Sequence, residues 1–224
     1  MSLGIYTPTY YSNASSESYW PLLTMIASGR QNLREFSIQK LNFNSTKTFI
    51  NLASFFSGCQ SLESFDFGET DTSYNSSLYR MFYNCTAFTG LAEYDATDFA
   101  KIKTGEQMFY GCENLLEFNY KTEHLTKAKE MFRQCVSLTN IGNYVASHSN
   151  ISNFSKVTDG HMMFKDCYKL KYFYTDLSSL ATSSQMFEGC YELAHFYCSL
   201  KSLKESNQMF KDLTKLNFFK GNLT

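Results

Sequence analysis

Seven cysteines and four histidines are the side chains with which this chain could bind a metal or attack a substrate. Six of the cysteines (Cys59, Cys85, Cys112, Cys135, Cys167 and Cys190) fall in one recurring frame, aromatic-x-x-Cys-x-x-Leu-x-x-Phe, with Leu91 or Ile141 closing two of the copies. In a seventh copy the cysteine position is Leu213. A cysteine that leucine can replace is behaving as a small buried hydrophobe. Equivalent side chains on stacked turns point the same way and are rooted about 4.8 Å apart, whereas a disulfide needs Cβ atoms about 3.8 Å apart and facing each other. Reduced, buried thiols are therefore expected. The histidines (His124, His148, His161 and His195) share no repeat position and no Cys-x-x-Cys occurs, so no metal site is expected. Cys198 stands outside the frame, two residues after Phe196, and reads as core filler. No glycine-rich phosphate loop or nucleophile elbow is present. Neither an enzyme nor a cofactor is expected.

The elements that hold these residues follow from the same frame. Its leading phenylalanines are Phe56, Phe82, Phe109, Phe132, Phe164, Phe187 and Phe210, at steps of 26, 27, 23, 32, 23 and 23 residues. A fixed frame with a floor and occasional insertions is the mark of a solenoid built from one supersecondary unit. Six residues before the Met position stand Trp20, Phe49, Ile102, Leu125, Val157, Leu180 and Leu203, with Asn75 breaking the rule. Spacings of six and three, followed by the paired Met-Phe, predict a short helical or 3-10 segment. A tight corner follows, with Gly58, Gly111 or Gly189, then the cysteine. A period-two stretch such as Phe118-Asn119-Tyr120 then reads as a short strand. Strands separated by such crossovers stack in parallel. A degenerate first copy, from Ile26 to Phe36, carries Ala27 for the phenylalanine and Arg30 for the cysteine, as a terminal repeat facing water would.

The frame Met-Phe-x-Gly-Cys-x-x-Leu, clearest from Met108 to Phe118, resembles the BspA-like (Treponema pallidum type) leucine-rich repeats over roughly residues 20–220. The resemblance implies a surface-exposed adhesion or binding protein whose repeats carry no catalytic residues. This chain differs from that pattern in using Phe and Tyr where Leu or Ile is commoner. The expected fold is a right-handed α/β solenoid of about eight turns, with a parallel sheet on one face and helical or 3-10 segments on the other. Residues 1–19 are expected to form an N-terminal capping segment and 20–224 the solenoid. No matching cap is evident at the other end, which suggests truncation or coverage by a partner.

A formal net charge of −1 gives no reason to expect nucleic acid as a partner. No apolar run reaches the length of a membrane span, so no membrane insertion is expected. The first residues lack a basic region followed by an apolar stretch, which leaves an intracellular or virion-associated location open beside the extracellular one that the resemblance implies. The Asn-x-Ser/Thr triplets read as compositional in a chain this rich in Asn, Ser and Thr.

Variation is concentrated on the strand face. The residue before each strand phenylalanine runs Glu35, Ser64, Gly90, Glu117, Asn140, Tyr172, His195, Phe218, and the residue after it ends in Tyr174, Tyr197 and Lys220. Both columns point away from the core. Small, polar or acidic groups give way to aromatics. Two readings stand: a cross-strand aromatic ladder, or a contact patch for a protein or glycan. On the second, the binding residues are Tyr172, Tyr174, His195, Tyr197 and Phe218. The insertion at 144–156 reads as a surface loop, and as the other place where a ligand would sit. The function expected is a non-catalytic binding scaffold. The alternative is a structural subunit, of a virion or surface appendage, docking on sister copies.

Overall fold

The computed structural model describes residues 27–37, 52–66, 77–91, 102–141 and 154–222. The capping segment 1–19, Trp20, Phe49, Asn75 and most of the 144–156 insertion lie outside the described residues. Eight short strands follow in order: β1 Glu35–Ser37, β2 Ser64–Asp66, β3 Gly90–Leu91, β4 Glu117–Phe118, β5 Asn140–Ile141, β6 Tyr172–Tyr174, β7 His195–Ser199 and β8 Phe218–Asn222. They form two parallel sheets, β1-β2-β3 and β4-β5-β6-β7-β8, each strand pairing with its sequence neighbour. The register is the one the frame predicts: Glu117↔Asn140↔Tyr172↔His195↔Phe218 and Phe173↔Phe196↔Phe219. A second line of single parallel bridges joins Ser77, Thr104, Lys127, Asp159, Thr182 and Glu205 on successive coils. The molecule is a parallel-sheet solenoid of the leucine-rich-repeat kind.

The expected helical wall does not appear in the described residues. Among the described residues no helix occurs, and the Met-Phe segment is a run of turns. Backbone dihedrals give the reason. The residue before each methionine position is left-handed (Ser54, Arg80, Gln107, Glu130, Met162, Gln185 and Gln208, φ 51° to 57°), and so is the residue four places on, which is Asn84, Gly111, Asp166 or an equivalent. A left-handed third residue suits a type II turn and ends any helix. Turn bonds run Met81 N–H to Leu78 O, Tyr83 to Arg80 and Cys85 to Phe82. The N–H groups between them leave for the next coil: Arg80 to Glu106 O, Phe82 to Met108 O and Asn84 to Tyr110 O. A 3-10 helix would bond its interior N–H groups within its own segment, yet a chain of turns has the same three-residue spacing. Each left-handed non-glycine residue costs on the order of 1–2 kcal/mol, offset here by bonds that tie neighbouring coils together.

The core runs along the axis between the two walls. Phe56, Phe82, Phe109, Phe132, Phe164, Phe187 and Phe210 form one stack, with centroids 5.3 to 5.8 Å apart and interplanar angles of 5° to 10°. Strand phenylalanines meet that stack edge-on, Phe118 on Phe132 at 4.9 Å and Phe173 on Phe187 at 4.8 Å. Leu52 and Leu78 enter the core three residues before Phe55 and Met81, where later coils have Gly105, Ala128, Gly160 or Ser183. A Cβ on Gly160 would lie 2.9 Å from Leu180 Cδ1, and one on Gly105 3.3 Å from Leu125 Cδ1. Small residues at that position make room for the leucine of the following coil.

Candidate functional site

The cysteines prove to be more than filler. All seven are free and buried, but five of the repeat thiols donate to the carbonyl of the core phenylalanine one coil earlier. These are Cys85 to Phe56 O at 3.0 Å, Cys112 to Phe82 O and Cys135 to Phe109 O at 3.1 Å, Cys167 to Phe132 O at 3.0 Å and Cys190 to Phe164 O at 3.1 Å. Cys59 donates to Ala27 O, where the degenerate copy lacks the phenylalanine. Each of the five phenylalanine carbonyls already accepts the N–H of its own coil's cysteine, as Phe109 O does from Cys112 at 3.0 Å. The thiol occupies the second lone pair. Desolvation raises all of these thiols above their usual range, Cys198 included. That is the wrong direction for a nucleophile. Among the described residues no three His, Cys, Asp or Glu side chains gather as metal ligands would.

The five predicted binding residues come together. Parallel register sets Tyr172, His195 and Phe218 in one outward row and Tyr174, Tyr197 and Lys220 in the next. Across strands, Tyr172 and His195 have centroids 5.3 Å apart, His195 and Phe218 5.8 Å, and Tyr174 and Tyr197 6.3 Å at 28°. Tyr172 and Tyr174 are 6.3 Å apart along β6. The Lys220 ammonium lies 5.2 Å from the Tyr197 ring. Tyr197 keeps 44% of its surface in water and Phe218 42%. The rings are thus a cross-strand ladder and an exposed patch at once. On the earlier strands, Glu35 of β1 and Glu117 of β4 are exposed and Asn140 of β5 is half-buried. The 144–156 insertion is described only at 154–156, where Phe154 is core.

Two features escaped the sequence reading. Tyr168 and Tyr191, one residue after the repeat cysteine, are exposed and stack at 5.4 Å. Their column reads Gln60, Thr86, Glu113, Val136, Tyr168, Tyr191, Thr214, and inspecting it would have found them. An open cleft of about 310 Å³ also lies at the far end of β6 and β7, lined by Thr175, Asp176, Ser178, Tyr197, Ser199 and Lys201, with Cys198 beneath. Its signal was the column two residues after the strand phenylalanine, which falls from Tyr120 to Thr175, Cys198 and Gly221.

On the turn wall, Glu188 is clamped between coils. It takes Lys211 Nζ at 2.8 Å and Lys165 Nζ at 2.9 Å, with Gln185 as a third donor. Hydrogen bonds from Lys211 and then Lys165 hold its carboxyl down at about 2.

Residues 29–158 match the family described as BspA type leucine rich repeat region, in six copies. Residues 119–220 match a second, described as Mycoplasma protein of unknown function, DUF285. Solved structures similar to this chain include a leucine-rich repeat protein from Bacteroides ovatus, at 20% identity and a TM-score of 0.44. Another is a leucine rich cell surface protein from Faecalibacterium prausnitzii, at 15% identity and a TM-score of 0.43. The alignments cover 86% and 90% of this chain, but only 38% and 65% of those proteins. No curated protein matches this chain. Repeat frame, parallel register and a family match over more than half of the chain agree: the protein belongs to the BspA-type leucine-rich repeat family.

Proposed function

We propose that this protein is a non-catalytic recognition scaffold that binds a protein or glycan through the C-terminal half of its strand face. The observation that carries this reading is the outward cluster Tyr172, Tyr174, His195, Tyr197 and Phe218 on three adjacent strands. Rigid aromatic rings offer large contact area at low entropic cost and are frequent interface hot spots. Family membership supports a cell-surface or extracellular location and the absence of catalysis, and the raised thiols of the core support the latter. Among the described residues there is no helix long and apolar enough to cross a membrane. The test is retention of solubilised extracellular-matrix components by the immobilised chain. The Tyr174→Ala/Tyr197→Ala variant should lose at least tenfold; unchanged retention would move the site elsewhere, first to the 144–156 insertion.

A second reading is a structural subunit whose solenoids dock on one another in a virion or appendage. Light scattering separates the two. A stable homo-oligomer favours assembly, and a monomer favours the binder.

A further inference from the structure

The cleft beside Tyr197 exists because the solenoid changes its filling. Two residues after the strand phenylalanine, the β4 coil places Tyr120, whose ring packs 5.1 Å from Phe118. In the β6, β7 and β8 coils the same position holds Thr175, Cys198 and Gly221. That bulk is absent beside the open volume of about 310 Å³. That lies at the lower end of the roughly 300–1,000 Å³ typical of small-molecule sites.

Its lining is polar in a particular way. Ser178, Ser199 and Tyr197 supply hydroxyls, Asp176 a carboxylate and Lys201 an ammonium. Asp176 accepts the Ser178 backbone N–H at 2.8 Å through Oδ1 and the Ser178 hydroxyl at 3.3 Å through Oδ2. A carboxylate offers about four acceptor positions, so this one is oriented and still has capacity. No ion pair joins it to Lys201 among the described residues. One oriented acceptor, one donor, several hydroxyls and the flank of an exposed tyrosine suit a polyhydroxylated ring.

We propose that this cleft is a saccharide subsite: one sugar ring sits against Tyr197, its hydroxyls donating to Asp176 and accepting from Lys201 and Ser199. The proposal rests on the strand-face reading above and narrows its ligand to a glycan whose remaining residues run over Tyr174 and the neighbouring rings. Lys201 and Lys220, the latter beside the Tyr197 ring, add a preference for sugars that carry a carboxylate.

The test is binding of the full chain to an array of immobilised neutral, uronate-bearing and sialylated oligosaccharides. Lys201→Ala and Tyr197→Ala are compared with Leu116→Ser, which alters an exposed apolar residue before β4. Melting curves confirm that each variant is folded. Retained sugars that weaken at least tenfold with Lys201→Ala and with Tyr197→Ala, but not with Leu116→Ser, support the subsite. Whether uronate-bearing or sialylated sugars rank first identifies the source of the carboxylate. No retention of any sugar, or retention indifferent to both cleft substitutions, overturns it. A parallel capture of enzymatically deglycosylated matrix proteins keeps the two readings apart. If that capture persists and falls with Tyr174→Ala/Tyr197→Ala, the strand face binds protein and only the saccharide subsite fails; if both assays are blank, both fail.

Discussion

Two stacks of aromatic rings run along this solenoid, and they are packed differently. In the core stack successive phenylalanines sit 5.3 to 5.8 Å apart, nearly parallel, and rings such as Phe132 and Phe164 have no exposed surface. On the strand face, Tyr174 and Tyr197 are 6.3 Å apart at 28°, and Tyr197 keeps 44% of its surface in water. The repeat sets both spacings, since both stacks climb one coil per step. What differs is what closes each stack from the side. Edge-on strand phenylalanines and the leucines enclose the inner rings, while only water and neighbouring side chains border the outer ones. Inner rings therefore contribute mainly stability, and outer rings keep contact area available for a ligand.

The comparison is tested most severely in the core. Phe109→Ala removes a ring stacked between Phe82 and Phe132 and should cost about 3–5 kcal/mol, read from urea melts. A loss below about 1 kcal/mol would mean that the stack is not the axis of stability. Outside, Tyr174→Ala/Tyr197→Ala should leave the melting temperature nearly unchanged while lowering ligand retention at least tenfold, about 1.4 kcal/mol. If that variant instead melts much earlier and still binds, the outer rings are structural too and the contrast collapses.

Smaller effects sharpen the account of what joins the coils. Cys112→Ala deletes a buried sulfur and its bond to Phe82 O and should cost about 1 kcal/mol. The thiols should resist labelling at neutral pH in the folded protein, and all seven should react once it is denatured. Rapid labelling of any one in the native state would contradict their burial. Glu188→Gln should cost the least, about 1 kcal/mol or less near neutral pH. Its carboxyl is held at about 2, below the ordinary 4.5, so its contribution is complete above 4.5 and fades as pH falls toward 2. Melting curves of the parent and of Glu188→Gln should converge across that window. A constant gap down to pH 2 would show that the Lys165 and Lys211 contacts are not what matters there.

Read alone, the sequence settled which side chains share a column. Phe109, Cys112, Leu115 and Phe118 recur in a frame, and a parallel stack is the arrangement that gives all their copies one interior. The strand register, the burial of the cysteines and the adjacency of Tyr172, His195 and Phe218 all follow from that frame, because stacking converts a sequence offset directly into a spatial neighbour. The turn wall was misread for a reason of the same kind. Spacings of three and six report only that side chains lie on one side of the chain. Whether Gln107 is left-handed, and whether its N–H bonds within its own coil or to Lys129 O of the next, depends on carbonyls that only the neighbouring coil supplies. The thiol bond from Cys135 to Phe109 O and the cleft between Asp176 and Lys201 are of that sort as well. Each is a relation between coils, created when stacking brings a donor to a vacant lone pair or leaves volume beside a small residue, and residue order along one coil contains neither.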